Sequence, residues 1–422
     1  MKMLLKPVMC LLLFIAIYAG LHGGMYFFKN RVQELGIAFT LLMFILAAWL
    51  SLFRLDQHIW KRWVYRPTML ALGIMICWAL VFALRYKTNA LFSFFASREY
   101  FFIFLSPAIY LLWRNGLDVI IIRRIVWFSF FFLMLNYLFF YTTMDLEAAF
   151  FSTDPYLNTL VTMDDWRGFR LKPPLFAIMV AILMSLMMMF SRISTWHTIA
   201  AVVTFSIGAY IWSIVQFRST LATMILASML YPFLMAHYNR LPLLMASIPA
   251  GIVAIYALVQ IVMGGGGVSA AGDDVRAKAF AGAFESIAKQ PLWGAGQESA
   301  FTISYQQLMG AKFFPDDIGM VGITYQYGLI GIALYLYIHF LILYRTWKTN
   351  WEYKQIVGRH EPLIWGFFIW MCAQTFNLVL NPGLSSAKGI TVAAIAFALC
   401  GIYQDMLKSG ELARRRDVLR YF

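Results

Sequence analysis

Charged residues are scarce in this chain of 422 residues: Asp, Glu, Lys and Arg together make up 13% of it, against 62% hydrophobic residues. A soluble domain carries about 25% charged residues, so this chain has too few of them to cover a water-exposed surface. The composition excludes an ordinary soluble globular protein and indicates a protein built for the lipid bilayer. Many of the aromatic residues stand near the ends of apolar runs, as interfacial anchors do.

Cysteine is also scarce, and the spacing of the cysteines argues against a disulfide-stabilised protein and against a zinc protein. No cysteine has a partner at a short spacing, so the sequence offers neither a disulfide framework nor a zinc motif. The first apolar run lacks a small-residue cleavage site, and we interpret it as a retained helix rather than a signal peptide. All four cysteines fall in apolar runs, where we expect core positions: Cys10, Cys77, Cys372 and Cys400.

Long apolar runs dominate what is present. A membrane-spanning helix needs about 20 mostly apolar residues. These runs do not alternate apolar and polar residues, as the strands of a membrane barrel would. We therefore predict an all-α polytopic membrane protein, a single transmembrane domain over residues 1–422. About 12 transmembrane helices are expected, roughly at residues 7–28, 33–53, 67–84, 99–113, 125–143, 173–190, 198–215, 219–236, 241–263, 318–344, 362–380 and 389–405.

The formal net charge of +14 predicts the orientation of the chain. With the N-terminus in the cytoplasm, the inner segments sum to about +13 and the outer segments to about +1, as the positive-inside rule requires. The basic residues thus serve topology, and we expect no nucleic acid as partner. Both termini are predicted to be cytoplasmic. Two outer segments are longer than a connection needs, residues 144–172 and 264–317.

Three groups of residues on the predicted outer face could carry chemistry, and the first surrounds Arg218. This residue joins two apolar runs with almost no loop between them. Its side chain either snorkels to the headgroups or faces a cavity within the bundle, where an ionisable residue is a candidate site residue. The segment is Gln216-Phe217-Arg218-Ser219-Thr220.

The second group lies in the long outer segment. Residues 274–289 have a helical pattern with an acidic start and a basic end, which suits the helix dipole, and Arg276 stands near the start. Arg276 is either a ligand-binding cation or a solvated charge. A Gly-x-Gly follows, which lets the backbone turn sharply or approach a ligand closely. The segment is Pro291-Leu292-Trp293-Gly294-Ala295-Gly296.

The third group stands where the chain re-enters the membrane. Two adjacent carboxylates, Asp316 and Asp317, precede the next apolar run. Each is either an N-capping residue, which satisfies free N–H groups at a helix start, or a catalytic carboxylate, and the two roles can coexist. The apolar run then carries the sequence Tyr325-Gln326-Tyr327-Gly328-Leu329-Ile330-Gly331.

Together these segments resemble the O-antigen polymerase and O-antigen ligase superfamily, bacterial enzymes that act on lipid-linked polysaccharide. Arg218-Ser219 matches the family's arginine and small hydroxyl residue at the outer end of a helix. Arg276, some fifteen residues before Pro291 and its Gly-x-Gly, matches the second element, and residues 328–331 match the Gly-Leu-(Ile/Pro)-Gly that begins the next helix. The specific resemblance covers residues 216–331, and the remaining chain agrees in helix number and sidedness.

One position departs from the family pattern. The family's His-Asn-x-(Tyr/Phe) segment stands about eleven residues before the Gly-Leu-(Ile/Pro)-Gly, where this chain has Asp317. No histidine lies in either long outer segment. The ligases are the branch most closely tied to that histidine, so its absence favours a polymerase and leaves the identity of the catalytic base open.

The resemblance implies a GT-C-like fold in the bacterial inner membrane and a glycan donor held on undecaprenyl diphosphate. Arg218 and Arg276 would bind the diphosphate, and Asp317, or second Asp316, would accept the proton of the acceptor hydroxyl, with inversion at the anomeric centre. No cofactor and no metal are expected. The implied partners are the undecaprenyl-diphosphate-linked oligosaccharide, membrane lipids and a chain-length-regulating co-polymerase. Further candidates for substrate binding on the same face are Arg170, Lys172, Arg98 and Lys312, with Trp166, Trp293, Tyr305 and Tyr325 as stacking residues or interfacial anchors.

Other functions remain open from the sequence alone. An O-antigen ligase would transfer the finished glycan to a lipid A core. A peptidoglycan polymerase of the shape, elongation, division and sporulation family also relies on an acidic outer loop, but the spacing of Arg276 and Pro291 argues against it. A flippase or other transporter of lipid-linked oligosaccharide would show internal repeats and polar residues at mid-membrane. We find no clear repeat, and the polar candidates cluster on one face.

Overall fold

The computed structural model describes residues 5–21, 32–52, 64–87, 89–164, 168–190, 195–215, 224–225, 227, 270–296, 315–378 and 383–415. Within these ranges the chain is almost wholly helical, which confirms the all-α fold class. The α-helices are α1 (Leu5–Gly20), α2 (Val32–Leu52), α3 (Tyr65–Tyr86), α4 (Ala90–Ala96), α5 (Leu105–Arg114), α6 (Val119–Thr143), α7 (Leu146–Phe150), α8 (Pro155–Leu160), α9 (Leu175–Phe190), α10 (Thr195–Val215), α11 (Ala270–Lys289), α12 (Gly319–Val357), α13 (Pro362–Asn377), α14 (Ala387–Lys408) and α15 (Glu411–Arg414). Short 3₁₀ helices precede α5, α12 and α14, at Arg98–Phe104, Pro315–Ile318 and Gly383–Ser385.

Six of the described helices are long and apolar enough to cross a membrane: α2, α3, α6, α10, α12 and α14. Helices α1 and α9 are apolar but shorter. These helices indicate an all-α membrane protein. Two of the predicted runs, 219–236 and 241–263, lie almost wholly outside the described residues, so the predicted number of spans stays a prediction.

The predicted run 99–113 is not one regular helix. Its first seven residues, Arg98–Phe104, form a 3₁₀ helix, and α5 then continues for ten residues. Pro107 is the third residue of α5, where the missing N–H is tolerated because the first turn has no intrahelical acceptor for it. A 3₁₀ helix rises more per residue than an α-helix. The whole segment is therefore roughly 29 Å long, close to the thickness of the hydrocarbon core.

Helix α12 is much longer than its predicted run, 318–344. Its 39 residues correspond to roughly 58 Å, about twice the hydrocarbon thickness. Most of the predicted inner segment 345–361 is therefore helix that projects beyond the span. The helix ends at Gly358, which adopts a left-handed conformation (φ 87°) and donates its N–H to the Lys354 carbonyl.

The centre of the molecule is α14. In its most apolar window 89% of the residues are buried, whereas the other five long helices are buried at 28–44% of theirs. Alanine and glycine at residues 393, 394, 396, 398 and 401 keep the α14 surface small. Small residues let neighbouring helices approach closely in the absence of a hydrophobic driving force. Helices α5, α12 and α13 pack around it.

The predicted outer segment 144–172 has structure of its own. Helices α7 and α8 are followed by an antiparallel hairpin of β1 (Val161–Asp164) and β2 (Gly168–Leu171). Val161 pairs with Leu171, and Thr162 pairs with Arg170. The hairpin joins α8 to α9 and determines the positions of Arg170, within β2, and of Lys172, directly after it.

The helices alternate in direction, so the bundle has two distinct ends. Contacts between elements join the end of α3, the start of the Arg98–Phe104 helix, the β-hairpin, the end of α10 and the start of α14 at one end. We call this the motif end, because residues 291–296 and 325–331 lie there. The opposite end carries Arg123, at the start of α6, and is called the Arg123 end.

Candidate functional site

The two glycine-containing segments singled out in the sequence lie against each other at the motif end. Residues 291–296 run alongside residues 325–330 and exchange backbone hydrogen bonds with them in both directions. The donors and acceptors are Ala295 N–H to the Tyr325 carbonyl (2.6 Å), Gly296 N–H to the Gln326 carbonyl (2.8 Å), and Leu329 N–H to the Pro291 carbonyl (2.7 Å). The loop and the helix thus form one unit, which we call the glycine clamp.

Glycine is required where the two backbones approach. Gly328 interrupts α12 with φ 66° and ψ −170°, a conformation that L side chains avoid. A Cβ on Gly328 would overlap the Leu292 carbonyl, and a Cβ on Gly294 would lie 2.5 Å from the Gly328 nitrogen. The kink in α12 releases backbone groups from the helix, and residues 291–296 satisfy them.

One face of α3 supports the clamp from the other side. Trp78 donates its indole N–H to the Trp293 carbonyl (2.9 Å), and the Arg85 guanidinium donates to the Gly294 carbonyl (2.7 Å). Phe82 lies against Gly296, where any side chain would overlap its ring. Residues 78, 82 and 85 stand at i, i+4 and i+7, so one helical face holds the loop.

The contacts decide between the two roles left open for the Gly-x-Gly. The N–H groups of Ala295 and Gly296 are bound to carbonyls of α12, and the Gly294 N–H lies 3.3 Å from the Gln290 carbonyl. These amides are therefore used in a sharp turn that contacts other parts of the protein. They are not available to bind phosphate.

The predicted helix around Arg276 is confirmed, although α11 begins at Ala270, four residues earlier than expected. It packs against α12 and against the 3₁₀ helix Pro315–Ile318. Ala283, Ala295, Ile318 and Tyr325 form the apolar cluster between these elements. The helix that carries Arg276 and the turn that carries both aspartates are therefore neighbours beside the clamp.

The main chain of Asp316 and Asp317 lies within the 3₁₀ helix Pro315–Ile318. The N-cap of α12 is Ile318, which makes no side-chain cap hydrogen bond. Neither aspartate therefore occupies the N-cap position itself. Tyr325 is 2% exposed within the apolar cluster, which removes it from the candidates for sugar stacking, whereas Trp293 is 44% exposed.

Arg170 lies in β2, and Lys172 directly follows that strand. Arg170 is buried and donates to the carbonyl of Val215 (3.3 Å), the last residue of α10. The helix has no N–H of its own to donate to this carbonyl. Lys172 is half-buried, and burial lowers the pKa of its ammonium group. The two residues thus differ: Arg170 ties the hairpin to α10, and Lys172 is a partly desolvated cation.

A second cluster, unforeseen from the sequence, surrounds Glu99. Its carboxylate accepts from the Ala387 N–H at the start of α14 (2.9 Å). Lys388 lies within electrostatic range of both Glu99 and Lys172. The sequence could have indicated Lys388 as a candidate, because it is an ionisable residue at the beginning of an apolar run.

The remaining candidates divide into two groups. Arg98 pairs with Glu34 at 3.1 Å, with both side chains more than one-third exposed, and such a pair contributes little to stability. Outside the described residues lie Arg218 and Lys312, the side chains of Arg276, Asp316 and Asp317, and the aromatic candidates Trp166 and Tyr305. Their predicted roles stay predictions.

The motif end therefore combines a rigid support with several cations. The clamp holds α11, the aspartate turn and α12 together, while Lys172 and Lys388 add positive charge beside the hairpin. Within the described ranges, no three His, Cys, Asp or Glu side chains come together as metal ligands. Comparison of this chain with protein-family models and with curated proteins gives no match.

Proposed function

We propose that this protein is a polysaccharide polymerase of the bacterial inner membrane. It transfers a growing glycan from undecaprenyl diphosphate to a sugar hydroxyl of another lipid-linked repeat unit. The observation that carries the proposal is the glycine clamp. Its two segments resemble the O-antigen polymerase and ligase superfamily, stand 34 residues apart at Gly294 and Gly328, and hydrogen-bond through their backbones. The helix of Arg276 and the turn of Asp317 lie beside them.

The proposed topology follows the distribution of basic residues. About twelve helices cross the membrane, both termini are cytoplasmic, and residues 144–172 and 264–317 face the periplasm. The motif end is then the periplasmic end, where the lipid-linked donor presents its diphosphate at the membrane surface.

The proposed reaction is a single displacement. The acceptor hydroxyl oxygen attacks the anomeric carbon of the donor, and the bond from that carbon to the diphosphate oxygen breaks. The hydroxyl proton passes to the Asp317 carboxylate, with Asp316 as the second choice, and the diphosphate leaves on its lipid. Arg276 and Arg218 stabilise the charge that builds on the diphosphate, because guanidinium groups bind phosphate oxygens in pairs.

Deletion of the gene in its native host, with surface glycans resolved by length on a gel, tests the proposed class. We expect the ladder of long chains to collapse to single repeat units. Loss of glycan from the lipid A core, with long lipid-linked chains accumulating, would instead identify a ligase. Repeat units retained on the cytoplasmic side would identify a transporter.

The base is tested in the complemented deletion strain. We expect Asp317→Asn to lower the rate by about 100- to 10,000-fold, the range for loss of a general base, and Asp316→Asn to be milder. The two variants are matched, since they remove the same charge from neighbouring positions. The reverse order would move the assignment to Asp316, and full activity in both would remove the aspartates from the reaction.

A further inference from the structure

A large groove at the Arg123 end takes no part in the proposed reaction. Its volume is about 920 Å³, and residues of α1, α6, α9, α10 and α13 line it. This volume is near the upper end of the range for ligand pockets, about 300–1,000 Å³. Its wall is almost entirely apolar and includes Leu11, Phe14, Ile121, Phe128, Met188 and Trp196.

The apolar wall is open rather than collapsed. Leu11 is 58% exposed, Phe128 48% and Trp196 79%. Helices α6 and α10, which contribute two of these side chains, are long and apolar enough to cross a membrane. Apolar side chains on the outer face of a membrane-spanning helix, such as Phe128 on α6, contact hydrocarbon, so an acyl chain suits this wall.

The mouth of the groove carries two arginines and a histidine. Arg123, Arg124 and His197 line it, and Arg123, Arg124 and Arg359 all lie within electrostatic range of the His197 imidazole. Glu361 neutralises one of these charges, since its carboxylate is 2.8 Å from Arg123.

A second carboxylate at the Arg123 end, that of Asp118, is also engaged. Asp118 stands just before α6 and pairs with Arg415 at 2.5 Å. Among the described residues that line the groove, Arg123 and Arg124 are charged and none is a carboxylate. The Arg124 side chain is exposed there.

We infer that the groove binds one anionic phospholipid, with its acyl chains on the apolar wall and its phosphate at Arg124 and His197. Guanidinium matches phosphate oxygens in geometry and charge, and basic pockets between helices at a membrane surface take anionic headgroups. A zwitterionic lipid would also bring a cationic group towards the Arg124 guanidinium. The inference requires insertion in a membrane, and it depends on neither the orientation nor the proposed reaction.

Photo-crosslinking of the full-length protein tests the inference. The protein is placed in phosphatidylcholine nanodiscs that contain a small fraction of phosphatidylglycerol with a diazirine in one acyl chain. We expect crosslinks on the peptides that carry Leu11, Phe14 and Phe128. A phosphatidylcholine probe with the same diazirine should crosslink there several-fold less. Equal labelling of these peptides by the two probes would overturn the inference.

Matched variants separate charge from general membrane contact. Arg124→Gln combined with His197→Gln should lower crosslinking by phosphatidylglycerol several-fold. Lys348→Gln is the control, because Lys348 lies on α12 outside the groove and pairs with Glu352 at 3.8 Å; it should leave crosslinking unchanged. Wild-type labelling in the double variant would overturn the assignment of the headgroup site. Leu11→Trp fills the wall while keeping the cations, and it should reduce labelling by both probes.

Discussion

At the scale of single residues, Arg276 carries the sharpest prediction. It stands in the second turn of α11, a helix that packs beside the aspartate turn. We expect Arg276→Ala to lower the turnover rate by about 100- to 1000-fold, as loss of one charge-stabilising donor does, and Arg276→Lys to recover part of it. The assay is polymerisation of lipid-linked repeat units by purified protein.

Lys278 provides the matched control for that experiment. It lies on the same helix, two residues further on, and its side chain is exposed. Lys278→Ala should keep the wild-type rate. Full activity of Arg276→Ala, or an equal loss in both variants, would refute a specific role of Arg276 in binding the diphosphate.

Lys172 makes a prediction about pH. Burial disfavours its charged form and lowers its pKa, so the folded protein loses this proton at a lower pH than an exposed lysine would. If Lys172 binds phosphate, the KM for the donor should rise as pH increases through that pKa. Lys172→Arg should move this rise to higher pH, because arginine stays protonated. An unchanged alkaline limb in Lys172→Arg would exclude Lys172 as its source.

The lowered pKa of Lys172 also affects the stability of the folded protein. Here a rise in pH is favourable, whereas it weakens phosphate binding. Below the folded pKa, the buried charge of Lys172 costs free energy, and this cost disappears as pH rises above it. Lys172→Met should therefore raise the thermal unfolding temperature at neutral pH while weakening donor binding. This split between stability and KM distinguishes a binding residue from a structural one.

At the scale of elements, the glycine clamp predicts the effect of Gly328→Ala. The residue has φ 66°, and an added Cβ would overlap the Leu292 carbonyl. We expect destabilisation of at least about 1–3 kcal/mol, the cost of such a backbone conformation for a residue other than glycine. Activity should fall with it, because the clamp also positions α11. Thermal unfolding in detergent and the polymerisation assay measure the two effects.

Gly73→Ala is the control for that element. Gly73 lies within α3, and a Cβ there would meet nothing within 4 Å. Alanine favours a helix over glycine by up to about 1 kcal/mol, so this variant should be neutral or more stable. A Gly328→Ala protein as stable and active as Gly73→Ala would show that residues 291–296 need not contact α12 closely.

The elements also show what a sequence can predict and what it cannot. Apolar length predicted the positions of most described helices, because a span must satisfy its own backbone within a local run. The pattern around Arg276 predicted α11 for the same local reason. Local pattern could not predict that the Gly-x-Gly contacts Gly328, because that contact joins segments distant in sequence. It also missed Lys388, whose neighbours Glu99 and Lys172 come from two other segments.

At the scale of the whole molecule, the proposed orientation has a direct test by cysteine labelling. Glu147 lies in α7 at the motif end, and Ser409 follows α14 at the opposite end; both residues are exposed. In a background with the four native cysteines replaced by alanine, Glu147→Cys should react in intact cells with a membrane-impermeant maleimide. Ser409→Cys should react only after the inner membrane is opened, because α14 separates it from the motif end. The reverse pattern would invert the orientation and place the clamp, Arg276 and both aspartates in the cytoplasm, where a periplasmic polymerase could not use them.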